Sequence, residues 1–252
     1  MTAPDSWHCA LPKLPVLQRP DPDAEQASEL LFGERVQVSE RVGAWSKVSA
    51  RRDGYTGWVD QAALRVGDIP ASHRVGQPSG LVFTRPDIKS PLLARYFFSS
   101  PLTLGRVQGD FHAVENGGFI HRRHVAVQAA VETDAVDVAS GFLHAPYLWG
   151  GRTCDGIDCS ALVQTALQAC GIACPRDTGE QRVSFADRAV SGEARRGDLV
   201  FFPGHVGMMV DGERLLHANA FWMATVIEPL VAVIERFQPA VADPILAFIR
   251  LT

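Results

Sequence analysis

The chain has 252 residues, 46% of them hydrophobic, enough apolar surface for one large domain or two to three small ones, which excludes disorder of the whole. Its 24 Lys and Arg against 28 Asp and Glu leave a formal charge of -4, so nothing in the charge balance draws it to a polyphosphate and nucleic acid is not an expected partner. Five cysteines, Cys9, Cys154, Cys159, Cys170 and Cys174, cannot all pair internally and lack the dense spacing of a secreted disulfide scaffold, which points to a reducing compartment.

Residues 1–14 form an amino-terminal segment with no assigned role. Met1 to Leu17 holds Asp5, His8 and three prolines where a secretory signal would have a basic flank and an unbroken apolar run. No stretch approaches the roughly 18 apolar residues of a membrane helix. The expectation is a soluble, cytoplasmic protein without a membrane partner, although a chain trimmed of a leader would read the same.

Up to about residue 126 the chain is a series of short β-branched and aromatic runs broken by Gly, Pro, Asp and Asn, an all-β texture. Gly33 to Glu40 alternates apolar and polar, Trp45 to Ala50 does so again, and Asp53 to Val59 supplies a turn into a third strand. Gly33-Glu34, Trp45 and Gly54-Tyr55-Thr56-Gly57-Trp58-Val59 stand in the order of a bacterial SH3-type domain, and residues 15–67 resemble one. A looser echo in Gly105 to Val107, Phe111 to Val114 and Gly117 to His121 predicts a second, divergent barrel over 75–127, with residues 67–80 as linker.

The texture changes over residues 128–252. Val131 to Leu143 tolerates a helix, and a Gly-rich loop from Pro146 leads into Ala161 to Cys170, where Val163, Leu167 and Cys170 share one helical face before Gly171 caps the end. Cys159 therefore falls at a helix start, where unpaired amides and the positive end of the dipole favour a thiolate. Most cysteines in soluble proteins are small buried hydrophobes, and Cys9, Cys154, Cys170 and Cys174 are read that way. Cys159 escapes that reading only if a base is at hand.

Two apolar, strand-like runs supply candidates: Gly197 to Val210 contains His205, and Arg214 to Ala220 contains His217. Asp211-Gly212 between them is a hairpin signal that brings the two imidazoles together. One ring can take the thiol proton while the other holds the first in the required tautomer. His8, His73, His112, His121, His124 and His144 have no such context and are read as structural.

Six blocks occur in order: Tyr147-Leu148-Trp149-Gly150-Gly151, Asp158 to Val163, Pro175-Arg176-Asp177-Thr178 with Gln181, Gly197 to Phe202, His205-Val206-Gly207 and Leu216-His217-Ala218. From about Asp134 to the carboxy terminus the chain resembles the NlpC/P60 cysteine peptidases. The resemblance implies a multidomain chain, all-β SH3-like barrels followed by an α+β papain-like catalytic domain. It makes Cys159 the nucleophile, His205 the general base and then acid, and His217 the polar third member, with the Tyr147 hydroxyl near the oxyanion. Asp158, Ser160 and Thr178 would line the substrate groove, and no metal or other cofactor is needed.

The implied substrate is a murein peptide, cut at the amide between γ-D-glutamate and lysine or meso-diaminopimelate. In relatives with this layout an SH3-type domain closes the groove so that only a free amino-terminal L-alanine fits. Glu34 and Tyr55 are the candidates for that task, in cell-wall recycling. Three other readings stay open: a zinc site of Cys159, His205 and His217, a non-catalytic peptidoglycan-binding protein, and a papain-like amidase or acyltransferase. No oligomeric state is assigned.

Overall fold

A computed structural model describes residues 6–238 and 241–251. The chain divides into two compact units, residues 1–130 and 131–252.

The regular elements of the first unit, among the described residues, are strands and two single-turn 3-10 helices. Strands β1 (Trp7–Cys9), β2 (Lys13–Leu17), β3 (Gln26–Leu31), β4 (Arg35–Val42), β5 (Trp45–Ala50), β6 (Thr56–Asp60) and β7 (Leu64–Val66) make one sheet in the order β3-β2-β6-β5-β4-β1-β7. Alternation drives it: in β5, Ser46, Val48 and Ala50 are buried while Trp45, Lys47 and Ser49 are partly exposed. Leu14, Val16, Leu30, Val36, Val48, Val59 and Leu64 fill its interior. Residues 7–14, set outside the barrel by the sequence reading, belong to this sheet, since β1 bridges β4 and β7. The three-residue strand carries too short a pattern to be seen in sequence; residues 1–5 of that segment lie outside the described residues.

Strands β8 (His73–Val75), β9 (Ser79–Phe83), β10 (Leu92–Phe97), β11 (Pro101–Leu102), β12 (Leu104–Gln108), β13 (Phe111–Val114), β14 (Phe119–His121) and β15 (Val125–Val127) follow. They form a five-stranded sheet, β10-β9-β14-β13-β12, and a three-stranded one, β11-β8-β15. Val75, Val82, Leu102, Val114 and Ile120 pack between them, joined by Phe32 from the first sheet's region. Part of the expected linker is thus sheet, because β8 pairs with β11 and β15.

The second unit opens with helix α1 (Ala135–Ser140), shorter than the expected helix over Val131 to Leu143. The Asp134 carboxylate accepts from the amides of Val136 and Asp137 and fixes the start there. A small hairpin of β16 (Arg152–Thr153) and β17 (Gly156–Ile157) precedes helix α2 (Cys159–Ala169). Gly171 at φ +75° takes the left-handed turn that follows this helix. Helix α3 (Thr178–Ser184) follows, then β18 (Ala189–Val190), β19 (Leu199–Phe202), β20 (His205–Met209), β21 (Arg214–Asn219), β22 (Ala224–Pro229), helix α4 (Leu230–Phe237) and β23 (Ala247–Ile249). The sheet runs β18-β23-β19-β20-β21-β22.

This sheet is covered on both faces, so β19 is buried at every position. Val200, Phe202, Met209 and Leu215 meet Val233, Leu230, Ile234 and Phe237 of α4 on one face. Alternation turns Val206, Met208, Leu216 and Ala218 to the other, against α2. The predicted hairpin is present: Asp211 Oδ1 accepts from the amides of Glu213 (2.9 Å) and Arg214 (2.8 Å) and closes the turn between β20 and β21. Among the described residues no helix is long and apolar enough to cross a membrane.

Gly151 is where this scaffold tolerates no side chain. A methyl there would stand 2.5 Å from the Gly156 carbonyl oxygen and 3.0 Å from that of Leu148. Gly151→Ala is expected to open the β16–β17 hairpin and lower the thermal unfolding midpoint, whereas Gly179→Ala, which meets nothing within 4 Å, should leave it unchanged.

Candidate active site

Cys159 is the first residue of α2 and is only 6% exposed. The backbone amides of Ser160 and Val206 point at its sulfur, and Thr178 Oγ1, at the first residue of α3, lies 3.8 Å from it. Burial nevertheless pushes the thiol up to about 11, and the Asp158 charge adds to the rise against the three hydrogen bonds. The expected thiolate of the resting protein is therefore corrected. The helix start supplies donors to the sulfur, but desolvation outweighs them.

What fixes the sulfur in space is Asp158. Its carboxylate caps α2 by accepting from the Ala161 amide (2.8 Å), holds the Gly150 amide of the preceding loop (2.9 Å) and takes both nitrogens of the Arg176 fork. Ser160 donates to Asp158 (3.1 Å) and accepts from Arg176 (2.9 Å). Gln181 Nε2 donates to the carbonyls of Ser160 and Pro175, both at 2.9 Å. Asp158 and Ser160, expected to line a groove, are buried with their side chains occupied internally. Capping geometry consumed the polar atoms that the motif offered to a ligand.

Tyr147 is joined to the same corner. Its amide donates to the carbonyl of Met223 (3.0 Å), whose φ of +51° is rare for a residue with a side chain, and it bridges Ile157. Burial, then the proximity of Cys159 and Asp158, raise its hydroxyl to about 12, so it remains a proton donor across the physiological range.

The two histidines meet. His205 Nε2 lies 2.7 Å from His217 Nδ1, and His217 Nε2 lies 2.8 Å from Glu228 Oε1. The sheet register explains this: His217 pairs with Val226, which puts Glu228 diagonally across on the same face. Arg236 binds Glu228 through both guanidinium nitrogens (3.0 and 2.6 Å), and Trp222 Nε1 donates to it at 3.2 Å. These donors hold the Glu228 carboxyl down to about 2 against the opposing effect of burial.

An ionised Glu228 can only accept, so His217 carries its proton on Nε2 and presents a lone pair at Nδ1. His205 must then donate from Nε2, which leaves its Nδ1 as a lone pair. The Asn219 amide nitrogen, 3.1 Å from His217 Nε2, cannot donate to that protonated atom; Asn219 acts instead through its Oδ1, which accepts from the Trp222 amide (2.9 Å). Burial, followed by the neighbouring His217 ring, pushes His205 down to about 3, and burial also lowers His217. Both rings are neutral at pH 7. The Val206 amide at the sulfur puts the start of β20 beside Cys159.

Neither Glu228 nor Arg236 was among the residues expected from sequence. The signal was present only as register, because the strand Ala224–Pro229 carries one charged residue and its partner becomes known when β21 and β22 are paired. The zinc reading is not supported by this arrangement: both His217 nitrogens face protein partners, and among the described residues no three His, Cys, Asp or Glu are grouped to hold a metal.

Glu34 and Tyr55 belong to the first unit. Glu34 accepts from the Leu31 amide (3.1 Å) and faces Arg52 at 3.4 Å, and burial raises its carboxyl. Arg52 also pairs with Asp53 at 2.8 Å, and the Tyr55 amide donates to Asp53 Oδ1 (3.0 Å).

Two outcomes are expected. Arg176→Met leaves the Asp158 carboxylate buried without its cation and should cost about 3 to 5 kcal/mol in denaturant unfolding. The lowered His205 and His217 make stability depend on acid: the folded rings stay neutral while the unfolded ones take up protons below about 6.5. Their contribution is complete above that pH and is lost as pH falls toward 3. The slope of unfolding free energy between pH 6 and 4 should therefore shrink in His205→Gln by up to about 1.4 kcal/mol per pH unit.

The NlpC/P60 family model matches residues 144–228, and the model of the bacterial dipeptidyl-peptidase Sh3 domain matches residues 16–64. The chain is 30% identical over 222 residues to the gamma-D-glutamyl-L-lysine dipeptidyl-peptidase of Bacillus subtilis, covering 76% of this chain and 71% of that protein. It is 26% identical over 223 residues to dipeptidyl-peptidase 6 of Lysinibacillus sphaericus, covering 79% and 82%. An NlpC/P60 family protein from Bacillus cereus has the same fold, with a TM-score of 0.80 at 20% identity over 97% of this chain and 99% of that one.

Proposed function

The chain belongs to the NlpC/P60 family, an SH3-like all-β region followed by an α+β cysteine-peptidase domain, and from that premise we propose that it hydrolyses the γ-D-glutamyl–diamino acid amide of murein peptides with a free amino terminus. The observation that carries the reading is the directed chain from Glu228 through His217 to His205, taken with the Val206 amide at the Cys159 sulfur, which sets the residue after His205 against the thiol. Proposed domain limits are 7–66, 73–127 and 131–252.

A thiolate alone or an imidazolium alone is opposed by burial; formed together they stabilise each other. The proton of Cys159 passes to His205 Nδ1 as the sulfur attacks the γ-glutamyl carbonyl. The Cys159 amide, unpaired at the start of α2, and the neutral Tyr147 hydroxyl donate to the oxyanion, each commonly worth about 3 kcal/mol in such sites. The imidazolium, steadied by hydrogen bonds that end on Glu228, protonates the leaving amine, and the thioester remains. Water then gives its proton to the same nitrogen, adds to the thioester and releases the acid, and the thiol is re-formed. Thr178, at the sulfur, is a candidate to contact the substrate near the scissile bond.

Recognition of a free amine is the finer part of this reading, with Glu34 and Tyr55 as the residues proposed for it. The Bacillus subtilis relative is named a gamma-D-glutamyl-L-lysine dipeptidyl-peptidase, in keeping with this reading.

The test is turnover of L-Ala-γ-D-Glu-L-Lys against its N-acetylated form, with mass spectrometry of the products. Release of lysine is expected, with kcat/KM on the acetylated peptide lower by about tenfold or more, which is about 1.4 kcal/mol of recognition. Cys159→Ala should abolish turnover while peptide binding persists. Equal rates on both peptides would remove the amine requirement, and turnover surviving Cys159→Ala would remove the mechanism.

A further inference from the structure

The family match ends at residue 228, yet the groups that hold the imidazole pair continue beyond it into α4. Helix α4 lies over the sheet face that carries Phe202, Met209 and Leu215, and alternation puts His205 and His217 on that same face, away from α2. Two consecutive residues in its last turn reach the two rings by different routes. Arg236 forks onto both oxygens of Glu228, the acceptor of His217, and its guanidinium carbon sits 4.1 Å from the centroid of Phe221. Phe237 stacks on Phe202 (5.1 Å, 9°) and faces His205 at 6.3 Å and 28°.

We propose that the last turn of α4 is the positioning element of the reaction: Arg236, acting through Glu228, sets the tautomer of His217 and hence of His205, while Phe237 sets the plane of the His205 ring. The proposal rests on the reading of His205 as the base. Its chemical content is a choice between two proton arrangements of the same pair. With Glu228 held as an acceptor, protons stand on Nε2 of both rings and His205 Nδ1 carries a lone pair. Without it, His217 can carry its proton on Nδ1 and donate to His205 Nε2, which drives the His205 proton onto Nδ1, the atom that must accept from the thiol. The hydrogen bond between the rings survives either way, so packing alone does not distinguish the two states.

Arg236 has a second task. A lone carboxylate against His217 would favour an imidazolium, which would place a cation next to His205 and block its own protonation. The guanidinium neutralises Glu228 and keeps the His217 ring uncharged. Groups facing the pair are thus Glu228 from β22, Arg236 and Phe237 from α4, Phe202 from β19 and the neutral Asn219 from β21.

The experiment uses the full chain with 15N-labelled histidine and reads the tautomers of His205 and His217 by NMR, assigned with His205→Gln and His217→Asn. Both rings are expected as Nε2–H in the wild type at pH 7. Glu228→Ala should move them toward Nδ1–H, and Arg236→Met should raise the pH at which His217 protonates. In both variants kcat should fall about 10- to 100-fold with KM on the tripeptide changed by less than about twofold. Arg236→Lys, which keeps the charge without the fork, should recover part of the rate, and Phe237→Leu should lower kcat while leaving the tautomers as they are. Alkylation of Cys159 by iodoacetamide at pH 7, which needs no peptide, should slow in step with kcat. If Glu228→Ala does not fold, the raised His217 protonation pH in Arg236→Met, its partial reversal in Arg236→Lys and slower alkylation at unchanged tautomers in Phe237→Leu are the expected results, and their absence overturns the proposal. Unchanged tautomers and unchanged alkylation across the variants would overturn the proposal even if the peptide is a substrate; a peptide that is not cut while the tautomers shift as described would overturn the assigned function and leave the positioning role standing.

Discussion

The hydrogen bond from His205 to His217 gives this site its direction. At 2.7 Å between two nitrogens it can be made with the proton on either side, and by itself it says nothing of which ring can act as a base. Direction comes from the far end, where Glu228 can only accept. One carboxylate therefore decides the state of an atom two rings away. The antiparallel register of β21 and β22 puts the carboxylate there, so the polarity of the histidine pair is a consequence of strand pairing.

On the other side of the sheet, α2 must bring its first residue to the end of β20. The Asp158–Arg176 pair accomplishes this by tying the loop at Gly150, the first turn of α2 and the segment before α3 to one buried carboxylate. Such a pair adds little to stability relative to an apolar replacement, but it specifies where the helix begins. With Cys159 at that position the sulfur gains two amide donors and loses its water, and the loss is the larger effect. The site as it stands is a neutral thiol and a neutral imidazole. In the proposed mechanism, proton transfer is then coupled to attack instead of preceding it.

Much of this was legible in the chain. Alternation gave β5, the Asp211-Gly212 turn gave the β20–β21 hairpin, and helical spacing with Gly171 gave α2 nearly to the residue. Cys159, His205 and His217 could be singled out because they stand at the start of α2 and in the two strands of that hairpin. The misreadings lie where the pattern is short or the effect is collective. Strands β1 and β8 have three residues each and no period to see. The roles of Asp158 and Ser160 were hidden because a polar residue at a helix start looks alike whether it caps the helix or meets a ligand. The raised thiol depends on how much protein surrounds the sulfur, which no local run of residues encodes. Glu228 and Arg236 acquire meaning only once β22 and α4 are folded against β21.

Burial of the nucleophile has a bearing on survival of the enzyme under oxidative stress. Peroxide reacts with thiolates far faster than with thiols, and none of the described cysteines is in a disulfide. A sulfur kept as a thiol by burial is in the less reactive form. Shielding from attack and readiness for substrate then come from the same dry pocket, and any change that wets it trades one for the other.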